Sequence, residues 1–200
     1  MVLKFRESEK QIQRMVETAI AKEINKKVKE ILPKVKAQMT PIIMTALATC
    51  PEMLSLKNGI LRAEFGIRND PTPQLLAAIM STLQYKQLYA QRGRGGGIQV
   101  VMQPSDYSNL FTQGFSEQKI RDGSLPWLRW LLTFGDSIII ANYGVEYGPF
   151  GRTGKARMKE KIGPFKVRSA FSGVIGDNFI TRALKSNQSQ IEQSIVKVLS

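Results

Sequence analysis

The residues that come nearest to a known chemistry are 148–155, Gly-Pro-Phe-Gly-Arg-Thr-Gly-Lys, whose spacing is almost that of a phosphate-binding loop. A loop of the Walker type has four residues between its outer glycines and a Ser or Thr directly after its lysine. Here five residues separate Gly148 from Gly154, and Ala156 follows Lys155. The spacing therefore argues against nucleotide binding by this loop.

The same residues open a strongly basic segment, which we predict to be a mobile, hairpin-like loop over residues 147–168. Its cations are Arg152, Lys155, Arg157, Lys159, Lys161, Lys166 and Arg168. Seven like charges repel one another, so we expect the segment to be poorly ordered until a partner neutralises them. Arg152, Lys155, Arg157, Lys159 and Lys161 are the candidate contacts, because a flexible basic loop can approach phosphates without distinguishing bases.

The net charge of the chain is +13, and two segments supply most of it. Residues 1–40 contain ten Lys and Arg against five acids, and residues 151–170 contain seven against one. Such clusters can attract nucleic acid or an acidic protein surface. A solvated basic face that keeps the protein soluble explains the first cluster equally well.

Several residue types that carry chemistry are missing or rare. The chain has no histidine and a single cysteine, Cys50, which leaves no disulfide framework and no Cys/His cluster for zinc. Acid–base catalysis would need a carboxylate or lysine with a shifted pKa. We expect no catalytic residue, metal or cofactor, and we interpret Cys50 as a small buried hydrophobic residue.

Nothing in the sequence predicts a membrane span or a secretory route. The longest apolar runs are far shorter than the roughly 20 residues that cross a bilayer. The first residues lack an apolar signal core and a small-residue cleavage site. We therefore expect the protein to be made in a cytoplasm and to have no membrane partner.

Two further motifs have an unremarkable structural explanation. Residues 92–97, Arg-Gly-Arg-Gly-Gly-Gly, are similar to an RNA-binding RGG tract, but one copy is more typical of a hairpin tip. Trp127 and Trp130 could stack on bases, yet tryptophans among leucines usually belong to the core. We predict a core that contains Trp127, Trp130, Ile138 and Ile140.

The first 40 residues contain the clearest helix, with apolar residues from Ile12 to Val35 at steps of three or four. Pro33 is expected to end or kink this helix, and Pro41 to begin a second short one. The apolar face could serve as core, as a coiled-coil seam or as a membrane-surface element.

The remaining patterns predict an α+β fold with one domain over residues 1–200. It comprises an N-terminal helical segment 1–50, a small mostly antiparallel sheet, the basic loop 147–168 and a C-terminal amphipathic helix capped by Asp177. The predicted strands or extended segments are 60–67, 98–103 and 137–146. The predicted shorter helices begin near residues 71, 106 and 125, the first of them extending as far as Leu88.

Five phrases, in order over residues 60–185, resemble tailed-phage neck and tail-completion proteins. They are Leu-Arg-Ala-Glu-Phe-Gly-Ile (61–67), Ser-Asp-Tyr-Ser (105–108), Leu-Pro-Trp-Leu-Arg-Trp-Leu-Leu (125–132) with Gly-Asp-Ser-Ile-Ile-Ile (135–140), Gly-Arg-Thr-Gly (151–154) and Asp-Asn-Phe-Ile-Thr-Arg-Ala-Leu (177–184). The Leu-Pro-Trp segment followed by Gly-Asp and three isoleucines is the most specific of them.

This resemblance implies a non-enzymatic structural protein of the virion that acts as one copy in a closed ring. Its expected partners are other copies of itself, the portal or adaptor and the tail proteins of the same phage, and the double-stranded DNA that passes through the lumen. Adaptor, stopper and tail terminator all remain open. Residues 155–161 are basic where related sequences tend to be apolar, so the role of the basic loop does not follow from the resemblance.

The charge clusters support a different function as well. A small basic protein that binds nucleic acid on its own would also concentrate Lys and Arg in two segments. Salt-sensitive binding of the isolated chain to DNA would distinguish that function from a ring subunit.

Overall fold

The fold is α+β, as predicted, and is described by a computed structural model that covers residues 8–104, 106–120, 123–160 and 163–199. Helical segments form both ends, and the described strands lie between them. The helices are α1 (Glu9–Ala48), α2 (Pro51–Asn58), α3 (Ile60–Glu64), α4 (Thr72–Ser81), α5 (Ser108–Phe111), α6 (Trp127–Leu132), α7 (Phe179–Ser186) and α8 (Gln188–Leu199). The strands are β1 (Gln84–Leu88), β2 (Gly97–Val101), β3 (Gln118–Ile120), β4 (Gly123–Leu125), β5 (Ile138–Ile140), β6 (Tyr143–Tyr147), β7 (Ala156–Glu160) and β8 (Phe165–Lys166).

Helix α1 is continuous, so Pro33 does not end it, and the predicted second helix at Pro41 is wrong. Ser8 begins the helix with a capping box, in which its hydroxyl accepts from the backbone N–H of Gln11. Both prolines lie on the exposed face, where the carbonyls that lose a partner face solvent. Burial of the opposite face, including Val35 and Met39, then holds the helix together across them.

The core is one cluster of buried side chains drawn chiefly from the second half of α1 and from α2, α4, α6 and α7. Trp127 is fully buried, as predicted, and its ring centroid lies 6.2 Å from that of Phe65. Phe165 of β8 contacts Phe65 edge-on, with ring centroids 6.1 Å apart. Cys50 is buried in the same cluster, in agreement with its predicted role as a small hydrophobic residue.

The other predicted core residues are less buried than expected. Trp130 and Ile140 are half-buried and pack on the core, whereas Ile138 is 56% exposed and its prediction as a core residue is wrong. The pairing of β5 with β8 shifts register between Ile138 and Ile140. Such an irregularity interrupts the alternation of side chains along a strand. It explains why Ile138 and Ile140, two residues apart, differ in burial.

The described strands form four two-stranded antiparallel ribbons and not one sheet. The predicted antiparallel pairing is therefore confirmed, but the strands do not join in a single sheet. The ribbons are β1–β2, β3–β4, β5–β8 and β6–β7. Residues 92–97 lie at the tip of the β1–β2 ribbon, where Gln91 and Arg94 form a bridge. The hairpin-tip interpretation of this glycine-rich tract is therefore confirmed.

Two segments adopt a different structure from the one predicted. Residues 60–67 begin with helix α3 and contain no strand; the Ser55 hydroxyl on α2 accepts from the N–H of Leu61 in the first turn of α3, which satisfies a donor that the helix leaves unpaired. Residues 84–88 are strand β1 and not a continuation of α4. The five-residue pairing of β1 with β2 supplies backbone hydrogen bonds that end the helix at Ser81.

The strand and helix near the C-terminus are each divided. The predicted strand 137–146 is two strands, β5 and β6, joined by a turn at residues 141–142.

Asn178, not Asp177, caps α7: its side-chain oxygen accepts from the N–H groups of Ile180 and Thr181. The helix ends at Ser186 and α8 follows after Asn187. The buried Asn178 amide also donates to the Tyr107 hydroxyl at 2.8 Å. This contact holds Asn178 in the capping position, whereas Asp177 is exposed.

Among the described residues, no single helix combines the length and apolarity needed to cross a membrane. Helices α1 and α2 pass such a test only as a pair, and that pair is bent by 57° at its junction.

Candidate functional site

The basic segment is a β-hairpin in its described part. Strands β6 and β7 pair over five positions, from Tyr143 with Glu160 to Tyr147 with Ala156. The tip, residues 148–155, is closed by a hydrogen bond from the N–H of Gly148 to the carbonyl of Lys155. Lys161 lies outside the described residues.

The Gly-Arg-Thr-Gly sequence at this tip has a structural requirement for glycine. Gly151 has φ +70°, and a Cβ at this position would lie 2.1 Å from the carbonyl oxygen of Ala156. Both the backbone conformation and the close approach exclude a side chain. The tip is consequently a tightly folded turn that presents Arg152 and Thr153 in a defined position.

Two of the candidate contacts, Arg157 and Lys159, form ion pairs within the hairpin. Glu146 on β6 accepts from Arg157 Nε at 2.6 Å and from Lys159 Nζ at 3.0 Å. These hydrogen bonds, chiefly that of Arg157, lower the pKa of the Glu146 carboxyl. The expectation that an external partner must neutralise all seven cations is therefore wrong for this pair.

The last two cations of the segment are also paired within the chain. Lys166 Nζ lies 3.4 Å from Asp136, and Arg168 Nε lies 2.8 Å from the buried carboxylate of Glu64 on α3. Arg168 also donates to the Tyr147 hydroxyl at 2.6 Å, and that hydroxyl donates to Glu64. The Glu64 and Tyr147 oxygens raise the pKa of Arg168, and burial raises the pKa of Tyr147.

Arg152 and Lys155 differ from the other described cations of the segment because neutral oxygens hold them. Arg152 Nη1 donates to the carbonyl of Lys119 on β3. Lys155 Nζ donates to the carbonyl of Asn58 at 3.2 Å and to its side-chain oxygen at 2.8 Å. These bonds position both side chains and leave their positive charges uncompensated.

The hairpin tip meets two further arginines, Arg62 on α3 and Arg68 in the segment that follows it. Arg62, Arg68, Arg152 and Lys155 line one cleft of about 260 Å³, together with Thr153 and the backbone of residues 58–59. None of the carboxylates in the described residues lines this cleft. We call it the four-cation cleft.

Sequence reasoning identified half of this cleft. Arg152 and Lys155 were candidate contacts, but Arg62 and Arg68 were not. These two arginines lie about 90 residues earlier in the chain, in a segment with no charge cluster, so only the folded hairpin brings the four together. Across the described residues, no group of three or more His, Cys, Asp or Glu could hold a metal ion.

A second candidate surface lies on the first turns of α1. Ile12, Met15, Val16 and Ile20 are 36%, 64%, 51% and 54% exposed, and we call them the N-terminal apolar face. On another side of the same helix, Ala21 and Val28 are buried. Of the predicted roles for the helix, the core role is confirmed from Ala21 onward, whereas the earlier turns carry an apolar stripe that no other described residue buries.

The start of α1 is nevertheless anchored to the body of the protein. Glu17 lies 3.1 Å from Arg92 at the tip of the β1–β2 ribbon. Asn25 exchanges two hydrogen bonds with the backbone of Ala90, at 2.7 and 3.0 Å. These contacts fix the direction in which the helix projects, so the N-terminal apolar face has a defined orientation.

Comparison with protein-family models, with curated proteins and with solved structures finds no match to this chain.

Proposed function

We propose that this chain is a structural subunit of a tailed-phage particle, a neck or tail-completion protein that acts as one copy in a closed ring. The observation that carries the proposal is the N-terminal apolar face, which projects on an anchored helix and is left exposed by the described residues of the subunit. A closed ring is built from head-to-tail interfaces, in which each copy covers a different surface of the next. The neighbouring copy would cover this face.

The resemblance to neck and tail-completion proteins supports the same function. Its most specific phrase forms α6 and β5, and α6 carries the fully buried Trp127. Its Gly-Arg-Thr-Gly phrase is the hairpin tip, and its last phrase contains α7 with the Asn178 cap. In the proposed mechanism these parts make the rigid scaffold, α1 supplies subunit contacts, and the hairpin tip faces a neighbour or the DNA channel.

A free nucleic-acid-binding protein is the alternative, and the charge pairing weakens it. Within the chain, Arg157 and Lys159 share an ion pair with Glu146, Lys166 pairs with Asp136, and Arg168 pairs with Glu64. In the described part of the basic segment, only Arg152 and Lys155 then lack a carboxylate partner, so the segment offers DNA fewer unpaired cations than its number of Lys and Arg indicates. Many copies in a ring would compensate for this through multivalency.

Fractionation of infected cells tests the proposal. An antibody against the chain would be applied to density-purified particles and to the soluble fraction of the same lysate. We expect the chain in the particles, at a small fixed number of copies for each portal ring. A chain found only in the soluble fraction, and eluting from DNA at a salt-dependent position, would support the alternative.

A further inference from the structure

We propose that the four-cation cleft is a binding site for a phosphate group. Its lining joins Arg62, Arg68, Arg152 and Lys155 in about 260 Å³, without a described carboxylate. Like charges at this density repel one another, and an oxyanion between them removes the repulsion. The assignment goes beyond the proposed function and holds equally for the alternative.

Arg62 is the cation of this site that the chain holds most firmly. Its Nε donates to the carbonyl of Ile67 at 3.2 Å and its Nη1 to that of Lys57 at 2.7 Å, while Nη2 donates to the carbonyl of Arg68. A guanidinium has five N–H donors, so two stay available to a ligand. Because three carbonyls already hold the group, binding an anion immobilises little that was free.

The other three cations surround Arg62 from different parts of the chain. Lys155 keeps one ammonium proton after its two bonds to Asn58, and Arg152 keeps four N–H groups after its bond to Lys119. Arg68 is exposed and forms no ion pair or side-chain hydrogen bond with the described residues. Planar guanidinium groups bind two oxygens of a carboxylate or a phosphate, and a phosphate has further oxygens for the remaining cations of the cleft, whereas a carboxylate has only two.

Acidic residues stand close by but do not neutralise the site. Arg68 and Arg152 also line an adjoining cleft that contains Asp70 and Glu117. The Asp70 carboxylate accepts from the N–H and the hydroxyl of Thr72 at 2.9 and 2.7 Å. Neither acid forms an ion pair with either arginine within the described part of the chain. The two arginines therefore remain available to an external anion.

A matched pair of double variants tests the site. Arg68→Gln with Lys155→Gln removes two cations of the cleft, and Arg157→Gln with Lys159→Gln removes two that Glu146 neutralises. Both variants lose two positive charges, so the change in long-range electrostatic attraction of the duplex is the same in the two. Binding of a fluorescent 20-base-pair duplex would be measured by anisotropy at several salt concentrations.

We expect the cleft variant to lose about fivefold or more in duplex affinity and the control variant to lose less than twofold. In the cleft variant, the slope of log affinity against log salt concentration should also become shallower, by the equivalent of about one to two phosphate contacts. Equal losses in the two variants would exclude the duplex as the ligand, and together with no response to inorganic phosphate they would overturn the proposal. Titration of the wild-type chain with inorganic phosphate, followed by arginine side-chain NMR, needs no variant. Shifts at Arg62, Arg68 and Arg152 support the site, and unchanged signals at millimolar phosphate refute it.

The same two probes distinguish the sources of the phosphate. If duplex and inorganic phosphate compete and shift the same arginines, the ligand is the nucleic-acid backbone. If inorganic phosphate binds and the duplex does not, the site takes a small phosphate. An acidic peptide that shifts these arginines when phosphate does not would replace the proposal with a protein-docking site. None of these results depends on whether the chain occurs in a phage particle.

Discussion

Arg182 on α7 donates to Glu52 on α2 at 2.8 Å, and this contact joins two helices that are 130 residues apart in the chain. The Glu52 side chain is 4% exposed, so its charge depends on this partner. Arg182 also donates to the carbonyl of Ser172 at 3.1 and 3.2 Å. The pair therefore couples the α6–α7 connection to the helical N-terminal half.

Arg182→Ala would leave the Glu52 carboxylate buried without a cation. Removing one partner of a buried pair is strongly destabilising, so we expect a loss of about 3 kcal/mol in the free energy of unfolding. Urea denaturation measures it. Lys185→Ala, an exposed change on the same helix, is the control and should stay within about 0.5 kcal/mol. Equal stability of the two variants would contradict the account.

The two tryptophans should respond differently to the same substitution. Trp127 is fully buried and its Nε1 donates to the carbonyl of Phe115 at 2.9 Å. Trp130 is half-buried, and its Nε1 has no acceptor among the described residues. Trp127→Phe should therefore cost about 2 kcal/mol or more, and Trp130→Phe well under 1 kcal/mol. Thermal or chemical unfolding of the two variants checks the order, and the reverse order would refute this description of the core.

Cys50 should make the stability fall at alkaline pH. Burial raises the pKa of its thiol to about 11 in the folded chain. The folded chain therefore favours the neutral thiol. Its contribution to the free energy of unfolding is complete below the pKa of the unfolded chain, and it disappears as the pH rises through the pKa of the folded chain. The loss amounts to about 2 to 3 kcal/mol.

Comparison with Cys50→Ala isolates this effect. Its free energy of unfolding should decline less between pH 8.5 and 11 than that of the wild type. In addition, a thiol reagent at pH 8 should modify Cys50 no faster than the chain unfolds. Rapid modification of the native protein would show that the thiol is accessible.

The N-terminal apolar face should mediate self-association. Val16→Glu places a charge in the stripe, and Thr18→Glu places the same charge about 200° around the helix. We expect Val16→Glu to weaken self-association about tenfold or more, with an unchanged melting temperature, and Thr18→Glu to have little effect. Sedimentation over a range of concentrations measures this. A wild type that stays monomeric even at high concentration, or two variants that weaken equally, would exclude this face as the contact.

The sequence predicted those features that local patterns control. The apolar periodicity of α1, the burial of Trp127 and Cys50 and the hairpin at residues 92–97 all follow from spacing or residue type. Pro33 does not end α1, because packing along Val35 and Met39 outweighs a proline on the exposed face. The core position of Ile138 was wrong because no local pattern reveals a register shift.

The candidate site was less predictable than the fold. A charge count cannot tell that Glu146 neutralises Arg157 and Lys159, since this depends on the register of β6 and β7. It also cannot place Arg62 and Arg68 beside Lys155, because that contact needs the hairpin tip to fold onto the end of α2. Long-range pairing controls both, and sequence spacing does not encode it.

Electron cryomicroscopy of the head–tail junction in purified particles tests the central claim most directly. Density at the junction should contain a closed ring of identical subunits into which this fold fits, with the N-terminal apolar face of each α1 covered by the next copy. The variant Val16→Glu should yield heads and tails that are not joined. A junction without such a ring, in particles that assemble normally when this chain is deleted, would contradict the account.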